Sequence, residues 1–238
     1  MTRRLCLITG ASAGIGAAFA RVYAARGYDV ALTARRTERL EALAEEIRAR
    51  FGVEALVFTA DLAEPGAVDA LLAGVAGRGR VVDALVNNAG YGLPGTYADT
   101  RWSQQQAFLQ VLLTSVCELT HKLLPGMVAR GFGRIVNVAS LAGLAPGMPG
   151  HTLYGPTKSF LVKFSQALHA ETAGTGVHVS ALCPGFTWSE FHDVNGTRPQ
   201  TARLPAFLWL DAETVAAAGY AAAEANRAVH VTGWPNRA

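Results

Sequence analysis

Thr9-Gly10-Ala11-Ser12-Ala13-Gly14-Ile15-Gly16 is the stretch on which the reading of this chain turns. Before it lies the short apolar run of residues 5–9. After it Ile15, Ala18, Phe19, Val22 and Tyr23 recur at helical spacing until Gly27 ends the pattern. The stretch is therefore a turn between a buried strand and a helix. Its glycines let the backbone come close to a ligand, and a helix N-terminus offers free amides and a positive dipole end, so the turn suits a pyrophosphate. Methyltransferases use related turns, so the glycines alone do not name a ligand. A Walker-type cradle is excluded, because no Gly-Lys-Ser/Thr ending follows.

Outward from this turn the hydrophobic period alternates between short continuous runs and helical stripes. Strands are expected at residues 5–9, 30–33, 53–59, 84–86, 134–139, 177–183 and 228–231. Helices are expected between them: one capped by Thr37 with Leu40, Leu43, Ala44 and Ile47 inward, one opened by Pro65, and two longer ones at 102–122 and 153–172. Such a series folds as one α/β domain, a Rossmann-type, doubly wound, mostly parallel sheet of about seven strands spanning residues 1–238. The least regular segment, 185–210, follows the sixth strand and is placed to act as a substrate lid.

Bulk composition excludes several classes. The net charge of +3 has no lysine or arginine run behind it, so no nucleic-acid footprint is present. No stretch approaches the roughly 18 consecutive apolar residues of a membrane span. The N-terminal run is too short for a signal peptide, so a soluble cytoplasmic protein is expected. Cys6, Cys117 and Cys183 are far apart and read as reduced thiols. The six histidines show no ligand spacing, so no metal is expected. His151 and His192 flank the expected site and are candidates for substrate contact.

Three features carry chemistry. After the second strand, where an acid would accept the ribose hydroxyl of NAD, stand Arg35 and Arg36, whose guanidinium groups suit the 2′-phosphate of NADPH; Arg35, nearer the strand, is the first choice. Tyr154 and Lys158 are four apart, on one face of a helix. An ammonium near a phenol stabilises phenolate, and lowering its pKa of about 10 by about three pH units takes about 4 kcal/mol. Ser140 ends the fifth strand and is placed to donate a hydrogen bond to a substrate oxygen. The aromatic cluster Phe186, Trp188, Phe191, Phe207 and Trp209 either faces an apolar substrate or packs the lid down.

With these residues quoted, the chain resembles the short-chain dehydrogenase/reductase (SDR) family over nearly its whole length. The turn, with Gly10, Ser12, Gly14, Ile15 and Gly16, is similar to the family's Thr-Gly-x-x-x-Gly-x-Gly motif. Asp61-Leu62 resembles its adenine-contacting pair, and Asn87-Asn88-Ala89-Gly90 its Asn-Asn-Ala-Gly segment along the cofactor. Pro184-Gly185-Phe186-Thr187-Trp188-Ser189 resembles the segment around the nicotinamide carboxamide, with Ser189 in place of a threonine. The resemblance implies NADP(H) as cofactor, a small carbonyl or alcohol substrate, carbonyl reductase activity and a homodimer or homotetramer. It implies a catalytic set of Ser140, Tyr154 and Lys158: Tyr154 exchanges the proton, Ser140 orients the substrate oxygen, and Lys158 holds the ribose and lowers the tyrosine pKa. One departure stands out. Leu112 occupies the place of the family's relay asparagine, so the relay differs, passes to Thr114 or Ser115, or is impaired. The competing reading is therefore a cofactor-binding, catalytically weak module.

Overall fold

Side chains alternate across a strand, and in this chain both faces of the central strands are buried. The computed structural model describes residues 3–150, 152–191 and 205–233. Strands β1 (Leu5–Thr9), β2 (Asp29–Ala34), β3 (Ala55–Thr59), β4 (Val82–Asn87), β5 (Gly133–Val138), β6 (Val177–Cys183) and β7 (Val229–Val231) form one sheet in the order β3-β2-β1-β4-β5-β6-β7. All six pairings are parallel. This is the Rossmann-type, doubly wound sheet expected from the hydrophobic period.

Alternation along β1 divides the interior into two cores. Cys6 and Ile8 face one layer, made by α1 (Gly14–Ala24), α2 (Thr37–Phe51) and α7 (Ala212–Glu224), through Phe19, Leu40 and Val215. Leu5 and Leu7 face the other. That layer is built by α3 (Ala67–Gly77), α4 (Trp102–Leu109), α5 (Ser115–Ala129) and α6 (Tyr154–Glu171), with Leu71, Phe108, Leu119 and Leu168 inward.

Three details depart from the sequence reading. Helix α7 was not foreseen, because its Ala-rich stretch has little apolar contrast; its one clear signal is Asp211, whose carboxylate accepts the Thr214 amide at 2.7 Å as an N-cap. Thr37 does not cap α2: it is the first helical residue, and its hydroxyl pairs with that of Thr59 at 2.8 Å. Helices α4 and α5 are joined by a π-helical turn, Gln110–Thr114, so the helix runs on to Ala129. By length and composition this 28-residue helix is apolar enough to cross a membrane. Its inward Phe108, Leu112 and Leu119 instead pack on the sheet, and Glu118 and Lys122 pair on its outer side.

Strand order reverses between β1 and β4. The connections leaving these neighbouring strands diverge to opposite faces and open a crevice at their carboxyl ends, where ligands bind in such sheets. The glycine turn, Asn88 and Pro184 each directly follow a strand that ends at this edge, and Ser140 comes two residues after one.

Candidate active site

The base of the site is a hydrogen-bonded seam between the turn after β1 and the segment after β4. The Thr9 hydroxyl oxygen accepts the amides of Asn88 and Ala89, both at 2.9 Å, and donates to the Val86 carbonyl at 3.3 Å. The Asn88 side-chain amide donates to the carbonyls of Thr9 at 2.9 Å and Gly10 at 3.2 Å. Gly10 has a φ of +66°, in the left-handed region. A Cβ on Gly16 would stand 2.3 Å from the Gly10 carbonyl oxygen. Gly16→Ala is therefore expected to cost about 1–3 kcal/mol through overpacking and to weaken dinucleotide binding; urea denaturation and a binding titration check both. No side chain caps α1, whose N-cap is Ala13, which suits an anion at its first amides.

Beside this turn the arginines divide. Arg36 reaches it, donating from Nε (3.2 Å) and Nη2 (3.0 Å) to the Ser12 hydroxyl. Arg35, the first choice from sequence, lies instead 3.8 Å from Asp61. Asp61 also accepts the Ala63 amide at 3.0 Å, and Leu62 is buried in the core. Two residues here were missed. Arg39 and Arg36 both pair with Glu190. Arg39 was accessible to sequence reasoning, being one helical turn from Arg36. Glu190 was not, lying 154 positions from Arg36.

The structure brings Ser140, Tyr154 and Lys158 together at the carboxyl edge of the sheet. Ser140 neighbours the Tyr154 phenol, and the Lys158 ammonium lies 5.6 Å from the centre of the phenol ring. Lys158 Nζ donates to the Val138 carbonyl at 2.8 Å. The expected direction of the tyrosine shift is corrected here. Burial pushes the phenol up to about 12, and neighbouring Ser140 offsets only part of that. The ammonium sits against the ring and bonds to a backbone oxygen rather than to the hydroxyl. Burial also lowers Lys158 to about 8, with nearby Cys183 acting weakly the other way.

Leu112 is buried within the π-helical turn, its side chain against Gly90. Of the two alternative relay carriers, Thr114 is exposed, and Ser115 is buried with its hydroxyl donated to the Val111 carbonyl at 2.8 Å. Neither side chain offers a free hydroxyl proton on the inner side.

Pro184 to Ser189 runs past the site. The Pro184 carbonyl accepts the Leu141 amide at 2.9 Å, and the Thr187 hydroxyl donates to the Gly185 carbonyl at 3.1 Å. Leu210 pairs with the chain at Phe186 and Trp188, so the described ends of the 185–210 segment meet. Phe186, Trp188 and Trp209 pack on one another, with the two indoles stacked at 4.1 Å, while Phe207 is exposed. Phe191 stands 5.7 Å from the Tyr154 ring. Residues 192–204, with His192, and His151 lie outside the described residues.

A parallel sheet with a glycine turn at its chain reversal defines a Rossmann-type, nucleotide-binding α/β protein. Comparison with known proteins narrows this class: a short chain dehydrogenase profile matches residues 4–198, and the chain belongs to the short-chain dehydrogenase/reductase family of oxidoreductases. It is 40% identical over 186 residues to a sulfoacetaldehyde reductase of Chromohalobacter salexigens, covering 77% of this chain and 72% of that one. Nodulation protein G of a Rhizobium species is 36% identical over 237 residues, covering 98% of this chain and 94% of its own. Among solved structures, a short-chain dehydrogenase from Sphingobium yanoikuyae in complex with NADPH superposes with a TM-score of 0.87 at 32% identity, over 96% of this chain and 87% of that one.

Proposed function

We propose that this protein is an NADP(H)-dependent oxidoreductase that moves a hydride between the nicotinamide and a small carbonyl or alcohol substrate. The observation that carries this reading is that Ser140, from β5's end, and Tyr154 and Lys158, from α6, come together at the carboxyl edge of the sheet, with the ammonium against the phenol ring. The residues fit a dinucleotide: a glycine cradle that a Cβ would fill, an uncapped helix N-terminus, and Arg36 held beside Ser12 for a 2′-phosphate. The NADPH complex of the Sphingobium relative and the nicotinamide cofactors of the family support the same assignment.

When bound, NADPH supplies the hydride. Tyr154 holds the proton for the substrate oxygen, and its high pKa keeps that proton in place at neutral pH. Ser140 orients the oxygen from beside the phenol. Lys158 provides the charge that lets the phenol give up its proton, and holds the ribose. The described residues 185–191 border the substrate, with Phe191 beside Tyr154 as an apolar wall. One domain spans the chain, in the cytoplasm, as a homodimer or homotetramer.

A second reading, a cofactor-binding module of weak activity, is favoured by the apolar Leu112 and by the ammonium lying off the phenol oxygen. NADPH oxidation measured over a panel of aldehydes, hydroxyketones and bulky apolar ketones, beside NADH, separates the two. Turnover of at least one class with NADPH preferred is expected. Tight NADPH binding without turnover across the panel would establish the module instead.

A further inference from the structure

Glu190 takes no part in the proposed chemistry, yet it closes a charge cluster on the cofactor side of the crevice. Its carboxylate accepts Nη1 of Arg36 at 2.8 Å through one oxygen and pairs with Nη1 of Arg39 through the other. Each nitrogen of Arg36 then has a partner, Nε and Nη2 on the Ser12 hydroxyl and Nη1 on Glu190, while one N–H on Nη1 and one on Nη2 take no part in these bonds. The neighbouring residue, Ser189, lies over the glycine turn, its Cβ 3.0 Å from where a side chain on Gly14 would begin. An open cleft of about 380 Å³, lined by Ser12, Gly14, Arg39 and Glu190 among others, adjoins the cluster.

We infer that Glu190 is an internal stand-in for the cofactor's 2′-phosphate, a latch that selectively restrains affinity for NADPH while leaving affinity for NADH unaffected. The inference rests on the NADP(H) reading above. A phosphate docking on Arg36 and Arg39 competes with the carboxylate for the same two cations, and an unmoved carboxylate would repel the dianion. A cofactor without the 2′-phosphate leaves the latch undisturbed. Both arginines hold the Glu190 carboxyl below the usual carboxylate range, so the latch is charged at neutral pH. Arg36, Arg39 and Glu190 are 45%, 50% and 42% exposed, which makes these solvent-screened pairs that a phosphate dianion can replace. Displacing Glu190 also pulls on Trp188, two residues away in the chain and stacked on Trp209, so occupation of the phosphate site is felt at this indole pair.

The test is a calorimetric titration of the full-length wild type and Glu190→Gln with 2′-phospho-ADP-ribose and with ADP-ribose, neither of which carries nicotinamide. The variant is expected to bind the phosphorylated fragment about 3- to 10-fold more tightly, with ADP-ribose changed by less than about 2-fold. Tryptophan emission of the wild type is expected to change on adding the phosphorylated fragment but not ADP-ribose, and the variant is expected to lose that difference. An unchanged or weaker affinity of Glu190→Gln for the phosphorylated fragment, or an equal gain for both fragments, overturns the latch alone. Absence of any preference for the 2′-phosphate in both proteins overturns the NADP(H) reading and the latch with it.

Discussion

Tyr154→Phe is expected to lower kcat for carbonyl reduction by about 10²–10⁴-fold while leaving the NADPH dissociation constant within about 2-fold of wild type. Such a loss corresponds to about 3–5 kcal/mol of transition-state stabilisation. The substitution removes one oxygen and keeps the ring. The packing of that ring against Phe191 survives, and the Ser140 hydroxyl keeps the Ala142 amide that it accepts at 3.2 Å. Folding is therefore preserved, and the change reads out the proton alone. Steady-state kinetics beside a binding titration check it. A variant with near-wild-type kcat would show that the proton comes from elsewhere and end the role assigned to Tyr154.

Lys158→Met is the second large effect. Methionine matches much of the lysine stem and removes the charge, so a fall in kcat of roughly 10²-fold or more is expected. A sharper signature lies in the pH profile. Lys158 is held near 8 by burial, and Tyr154 near 12, so across pH 6–10 the phenol keeps its proton while the ammonium loses its own. The reduction rate is expected to be highest below about pH 8 and to fall as pH rises through that value, because the cation that offsets the developing phenolate disappears. In Lys158→Met this alkaline limb should vanish and leave a low, flat profile. Persistence of the limb near pH 8 in the variant would assign the titration to another group. The Val138 carbonyl loses its 2.8 Å donor in the variant, so thermal unfolding is followed in parallel to separate fold from catalysis.

Much of the fold was legible because the signals were local. The run from Leu5 to Thr9 and the glycines that follow, ending at Gly16, define strand, turn and helix start within twelve residues, and the repeated switch of hydrophobic period specifies a parallel, doubly wound sheet. Helix α7 escaped because alanine makes a helix without marking a face. The π-helical turn at Gln110–Thr114 escaped because one extra residue in a helical ladder leaves no composition signal.

In the site, four-residue spacing alone put Tyr154 and Lys158 on one helical face, and strand ends placed Ser140 and the glycine turn at a common edge. Only the tertiary structure decided the rest: that Arg36 rather than Arg35 sits beside Ser12, that Glu190 closes over it from 154 positions away, and that burial drives the Tyr154 phenol up instead of down. The physical reason is one of range. Backbone periodicity acts over a few residues and can be read along the chain. Desolvation and charge pairing depend on every group that packing brings within a few ångströms, whatever its place in the sequence.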